Sequence, residues 1–202
     1  LMTQAERAID WACDDGAAAL RRLHAADSAP GVADALFGVP AFLFDAHRAS
    51  EHDLARAPDG APGAIVARRG PALLRRTRDG GVWIGQVRRR CDDGLPALKL
   101  AATRAFAREC AALPELAVPL QRDDSTWDEL RYDEHGPQGA RVGVLGFDFH
   151  SGAMSARQCR RLETALREIA ARPTQVLVLA GGADFFCNGI HLHEIEAAAP
   201  RE

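Results

Sequence analysis

The chain has 202 residues, a mass of 21.7 kDa and a formal net charge of −3. Its 47% hydrophobic and 26% charged content excludes a disordered or collagen-like chain. The near-balanced charge gives no overall attraction to nucleic acid or to acidic membranes, and no run approaches the roughly 18 apolar residues of a membrane-spanning helix. Lys99 is the only lysine among 25 basic residues, a usage that points to a GC-rich genome rather than to function. Five cysteines, Cys13, Cys91, Cys110, Cys159 and Cys187, are odd in number and scattered. They fit a reducing cytoplasm and neither a disulfide framework nor a zinc knuckle.

In chain order, residues 5–27 read as a helix with Ile9, Trp11, Leu20 and Leu23 as its larger apolar positions and Asp14 or Asp15 as a cap. Pro30-Gly31 breaks it. Residues 36–90 alternate β-formers with turn pairs such as Pro62-Gly63 and Asp79-Gly80, and 81–87 is the clearest strand. A small OB-like β-barrel is expected there. A helix over 97–113, bounded by Pro96 and Pro114, makes 91–129 a helical connector. From Leu130 the pattern becomes α/β: a strand over 141–149, a helix opened by the Ser155/Gln158 capping box, and a buried strand over 175–180. The helix is expected to bury Cys159, Leu162, Leu166 and Ile169. Strand, helix and strand make a βαβ unit with parallel strands.

The last strand runs into Gly181-Gly-Ala-Asp-Phe-Phe-Cys-Asn-Gly-Ile-His-Leu192. Glycines let such a backbone bend sharply and approach a ligand, and a helix from about His191 aims N–H groups at developing negative charge. An acyl thioester carbonyl suits that site. Cys187, His191 and His193 carry metal-ligating types but lack a paired motif, so no metal is expected. Asp148, His150 and Ser151 carry triad types, yet Asp148 and His150 share one side of a strand while Ser151 points to the other. A polar strand end is the reading there. Eight arginines between Arg68 and Arg90 stand against one acid, Asp79. They read as a solvated face rather than a nucleic-acid track, because no aromatic stacking surface accompanies them.

The run from Arg141 to Leu192 resembles the opening of the crotonase (enoyl-CoA hydratase/isomerase) fold, with Phe186-Cys-Asn-Gly-Ile-His-Leu192 in place of that family's Phe-x-Ala-Gly-x-Asp-Leu segment. Together with Phe147-Asp-Phe-His-Ser-Gly-Ala-Met-Ser155, this string is similar to HypX/HoxX-type hydrogenase maturation factors. Ala8-Ile-Asp-Trp11, His24-Ala-Ala-Asp27, Pro30-Gly31 and Ala61-Pro-Gly-Ala-Ile-Val66 resemble the C-terminal domain of formyltransferases. The resemblance implies three segments: 1–90 formyltransferase C-terminal-like, 91–129 connector, and 130–202 the N-terminal part of a crotonase-like ββα spiral.

It further implies that Gly189 and the Ile190 N–H form half of an oxyanion hole, with Cys187 and Asn188 lining a coenzyme A pocket. His191, at the usual acidic position, would pack or hydrogen-bond beside the thioester pocket, with a direct role in guiding formyl-CoA as the second reading. The parent protein would pass the formyl group of 10-formyltetrahydrofolate to coenzyme A, then release carbon monoxide from formyl-CoA for a nickel–iron hydrogenase. Its partners would be small substrates and the hydrogenase maturation machinery, with no membrane and no nucleic acid, in the cytoplasm. The chain reads as an internal piece, inactive alone. Two alternatives stay open: an ordinary acyl-CoA hydratase or isomerase fused to a barrel, and a non-catalytic RNA-binding or scaffold barrel.

Overall fold

The computed structural model describes residues 3–90 and 97–198. The chain divides into two compact units, Leu1–Ala117 and Val118–Glu202.

The first unit opens with two short helices, α1 (Gln4–Arg7) and α2 (Gly16–Ala25), in place of the single helix expected over 5–27. The Asp10 and Asp14 side chains explain the interruption, because they accept from the Ala12 and Asp10 N–H groups at 3.0 and 2.8 Å. Such local side-chain bonds compete with helical ones. Asp15 caps α2 by accepting from the Ala18 N–H, and Ala19 and Leu23 turn into the core. Two antiparallel strands follow, β1 (Val32–Leu36) and β2 (Val39–Arg48). A helix unmarked in the sequence reading, α3 (Glu51–Arg56), starts with a Ser50/Asp53 capping box. Strands β3 (Ile65–Arg69), β4 (Ala72–Arg76) and β5 (Gly81–Arg89) then complete the meander.

The sheet order is β1-β2-β5-β4-β3, and a sixth strand, β6 (Lys99–Ala101), pairs with β5 beyond β4. Long β5 joins the sheet together: β2 runs along one edge, while the other edge takes β4 first and β6 next. Among the described residues β1 and β3 do not pair, so the expected barrel is an open antiparallel sheet.

The helix expected over 97–113 is also corrected. Lys99–Ala101 is a strand, and helix remains only in the single turn α4 (Ala102–Ala105). Ladder bonds to β5 override the helical propensity of the alanines. Residues 91–96 of the expected connector, including Cys91, lie outside the described residues. The tail of the unit is laced to β3, where the Arg68 and Leu116 N–H groups donate to Pro114 and Arg68 carbonyls.

The second unit holds a three-stranded sheet ordered β7 (Leu130–His135), β8 (Val142–Phe147) and β9 (Val176–Ala180). β7 pairs antiparallel to β8 and was unmarked in the sequence reading, because its polar residues hide the alternation of buried Leu130 and Tyr132. β8 and β9 are parallel, with α5 (Ala156–Ala170) between them. The capping box forms as expected: the Gln158 N–H donates to Ser155 Oγ, and the Ser155 N–H donates to Gln158 Oε1. The buried face of α5 is Gln158, Ala165 and Ile169, with Leu162 and Leu166 partly covered; Cys159 is exposed. The core comprises Ala165 and Ile169 with Leu130, Tyr132, Leu145, Phe147 and Phe149, and Leu162 and Leu166 pack against it.

Glu129 is enclosed beneath α5, where Gln158, Arg157 and Arg161 donate to its carboxylate at 2.5, 3.2 and 2.6 Å. Burial pushes its carboxyl above the usual range, against the pull of the two guanidiniums. Along β9 and after it, eight large apolar side chains from Val176 to Ile195 remain exposed.

Candidate functional site

The candidate site is the loop after β9, closed by α6 (Leu192–Ala198). Its glycines serve the chain's own packing. A Cβ on Gly181 would collide with the Phe186 backbone, and one on Gly182 with the Asp148 carboxylate. Gly152, at φ +66°, lies 2.5 Å from the Phe185 Cβ by the same measure. The loop therefore folds down on the turn at His150–Gly152, and Phe186 packs edge-on against Phe147 with centroids 5.2 Å apart. Ser151 in that turn also has positive φ, 56°.

Four successive N–H groups then have distinct fates. Asn188 donates to the Gly152 carbonyl at 2.7 Å. Gly189, at φ 86°, donates to Cys187 Sγ at 3.4 Å. His191 donates to the Met154 carbonyl at 3.0 Å, and the Met154 N–H returns a bond to Gly189 O at 2.9 Å. These last two bonds make a parallel bridge between Met154 and Ile190. In such a bridge one residue, here Met154, uses its own N–H and C=O to bond the residues that flank the other, and the N–H and C=O of that other residue, Ile190, point the opposite way. The Ile190 N–H thus faces away from Met154 and has no partner among the described residues, in a residue that is 66% exposed.

The bridging role of Met154 was hidden in sequence. Its only signal was the upstream string ending Gly-Ala-Met-Ser155, read as resemblance rather than as a contact.

The structure brings Cys187, Asn188, Gly189, Ile190 and His191 into one exposed loop. The Asn188 N–H and the His191 backbone are structural there: the His191 carbonyl accepts from the Glu194 and Ile195 N–H groups that open α6. His191 and His193 rings lie 6.0 Å apart. Among the described residues no three His, Cys, Asp or Glu side chains are placed to hold a metal ion. Asp148 is exposed, and its carboxylate occupies the space beside Gly182.

The arginine run has a different structural role from the solvated face expected of it. Arg69 is buried on Asp53. Arg75 stacks 4.1 Å over the buried Trp11 ring and pairs with Asp34. Arg76 and Arg88 donate to Pro58 and Pro30 carbonyls at 2.9 Å, and Arg89 to Ala105 at 3.0 Å over the buried Phe106 ring. Rings accompany the arginines. Most lie inside the unit, where they pack under guanidiniums that clamp backbone carbonyls.

Comparison with known proteins adds four findings. Residues 1–104 match the family model described as formyl transferase, C-terminal domain. The hydrogenase maturation factor HoxX of Bradyrhizobium diazoefficiens is 45% identical over 195 residues, covering 96% of this chain and 31% of HoxX. A crystal structure of a variant of HypX from Aquifex aeolicus superposes with a TM-score of 0.86 at 34% identity, covering 98% of this chain and 34% of that one. The same Aquifex protein in complex with tetrahydrofolic acid superposes at 0.85, with 34% identity and 98% and 33% coverage. The chain therefore spans about one third of the length of these relatives. Among the described residues no helix is long and apolar enough to cross a membrane.

Proposed function

The chain belongs to the formyl transferase C-terminal domain family, as a fragment of HypX/HoxX type, and on that premise we propose that its second unit is the first part of a crotonase-type module acting on formyl-CoA. The observation that carries this reading is the Ile190 N–H, turned outward by the Met154 bridge while its neighbours are engaged within the chain. A donor so fixed needs no reorganisation to meet a thioester oxygen, and it polarises the carbonyl as charge develops there. Gly189, at φ 86°, sets the direction of that donor. Cys187 and Asn188 form the adjoining wall for coenzyme A, and His191 adjoins the thioester.

In the parent protein the formyl group of 10-formyltetrahydrofolate passes to the coenzyme A thiol. The formyl thioester H–C(=O)–S then loses its C–S bond, the formyl hydrogen ends on sulfur, and the products are free thiol and carbon monoxide. The gas supplies the iron of a nickel–iron hydrogenase, and the hydrogenase maturation machinery in the cytoplasm is the partner. The tetrahydrofolic acid in the Aquifex HypX complex supports the folate half of this sequence.

One donor does not complete an oxyanion hole. The test uses the full-length parent with formyl-CoA, trapping carbon monoxide on reduced myoglobin. Ile190→Pro removes the N–H and is expected to lower kcat by about 10²–10³, whereas Ile190→Val leaves it within about twofold. Equal carbon monoxide release by the parent and its Ile190→Pro variant overturns the assignment.

A further inference from the structure

A groove on the second unit, remote in sequence from the 181–191 loop, has the features of a ligand site. It runs along α5 and encloses about 430 Å³, within the range of small-molecule sites. Its apolar lining, termed the floor, is made by Val118, Leu120, Leu130 and Ala165. Its walls are charged and held in place. Arg161 donates to Asp128 at 2.5 Å and to the enclosed Glu129 at 2.6 Å, and Arg157 donates to Glu129 at 3.2 Å. Glu168, at the far end, is taken up by Arg172 at 2.9 Å.

That pairing leaves one lining cation over. Arg160 lines the groove, is exposed, and has no carboxylate partner among the described residues. It stands one turn from Thr164 on the same helix face, whose hydroxyl donates back to the Arg160 carbonyl at 2.9 Å. An apolar trough with a planar, uncommitted guanidinium in its lining matches a molecule with an apolar body and a carboxylate head.

We infer that this groove binds a small amphipathic carboxylate, its chain on the Leu120–Leu130–Ala165 floor and its acid group on Arg160. Because the head group sits in solvent, the charge sets selectivity more than strength.

The test is an NMR titration of the 202-residue chain with octanoate and with its neutral counterpart octanamide. Saturable shifts are expected at the Leu130, Thr164 and Ala165 amides, with octanoate at least fivefold tighter. Arg160→Gln, an exposed and conservative change, is expected to bring the two ligands to equal affinity. Thr164→Phe fills the trough and is expected to abolish both sets of shifts. Shifts confined to residues 176–195, equal affinity of the two ligands for the unaltered chain, or an Arg160→Gln variant that keeps the preference would each overturn the inference.

Discussion

Asp53 and Arg69 form an ion pair from which solvent is shut out, with side-chain exposures of 0% and 1%. Trp83 Nε1 donates to Asp53 Oδ2 at 3.0 Å, and the Ser50 N–H donates to the same oxygen at 3.1 Å. Arg69 Nε meanwhile holds the Leu116 carbonyl at 2.7 Å. The pair thus ties α3, β3, β5 and the tail of the first unit to one another. Removing one partner strands a buried charge, so Asp53→Ala is expected to cost about 3–5 kcal/mol. Replacing both groups, as Asp53→Leu with Arg69→Met, should recover part of that loss. Urea denaturation of the three forms checks it; a single variant within 1 kcal/mol of the unaltered chain would contradict the account.

The same carboxylate sets a pH response. Burial acts to raise the Asp53 carboxyl, but hydrogen bonds from Arg69, Trp83 and Ser50 outweigh it and hold the group below the usual carboxylate range. A depressed folded-state pKa adds stability that is present above the unfolded value of about 3.9 and lost as pH falls through the folded value. Asp53→Asn should therefore flatten the stability profile of the first unit below about pH 4 relative to the unaltered chain. Parallel profiles for the two forms would remove Asp53 as the source.

Tyr132 lies across Gly143 on the neighbouring strand. A Cβ at that glycine would meet the Tyr132 ring, with Cε2 at 2.6 Å. The ring is fully buried, and its hydroxyl is held by Glu134 at 3.0 Å and Thr174 at 2.8 Å. Gly143→Ala is expected to destabilise the second unit by about 1–3 kcal/mol through overpacking. Tyr132→Leu in the same chain should relieve the clash. A melting curve unchanged by Gly143→Ala would show that the ring can move aside.

Thiol chemistry separates the four described cysteines. Cys110 is buried, and that burial pushes its thiol up. Cys13 is exposed, but a hydrogen bond and the negative charge of Asp10 push its thiol up as well. Thiolate fraction controls the rate of disulfide exchange. At pH 7.5, peptide mapping after brief treatment with a maleimide should find the exposed Cys13, Cys159 and Cys187 labelled before Cys110, which reacts only on unfolding. Early labelling of Cys110 would mean that the first core opens locally.

Where local chemistry decides, the structure was legible in the sequence. The Ser155 capping box and the strand around Trp83 are settled by residues within a few positions of each other. Reading failed where partners lie far apart. Nothing near Lys99–Ala101 says that β5 is long enough to take a second neighbour on the edge it shares with β4. Nothing near Arg68–Arg90 says that most of its guanidiniums are occupied by carbonyls and carboxylates elsewhere in the fold. The loop residues of the candidate site were legible as a group, but the direction of the Ile190 N–H depends on Met154, 36 positions upstream.

The uncovered strip from Val176 to Ile195 gives the chain the character of a surfactant. β9 has β8 on one edge and no strand on the other among the described residues, so backbone donors and oily side chains are offered together. An apolar face beside an unpaired strand edge is a template on which another segment can pair.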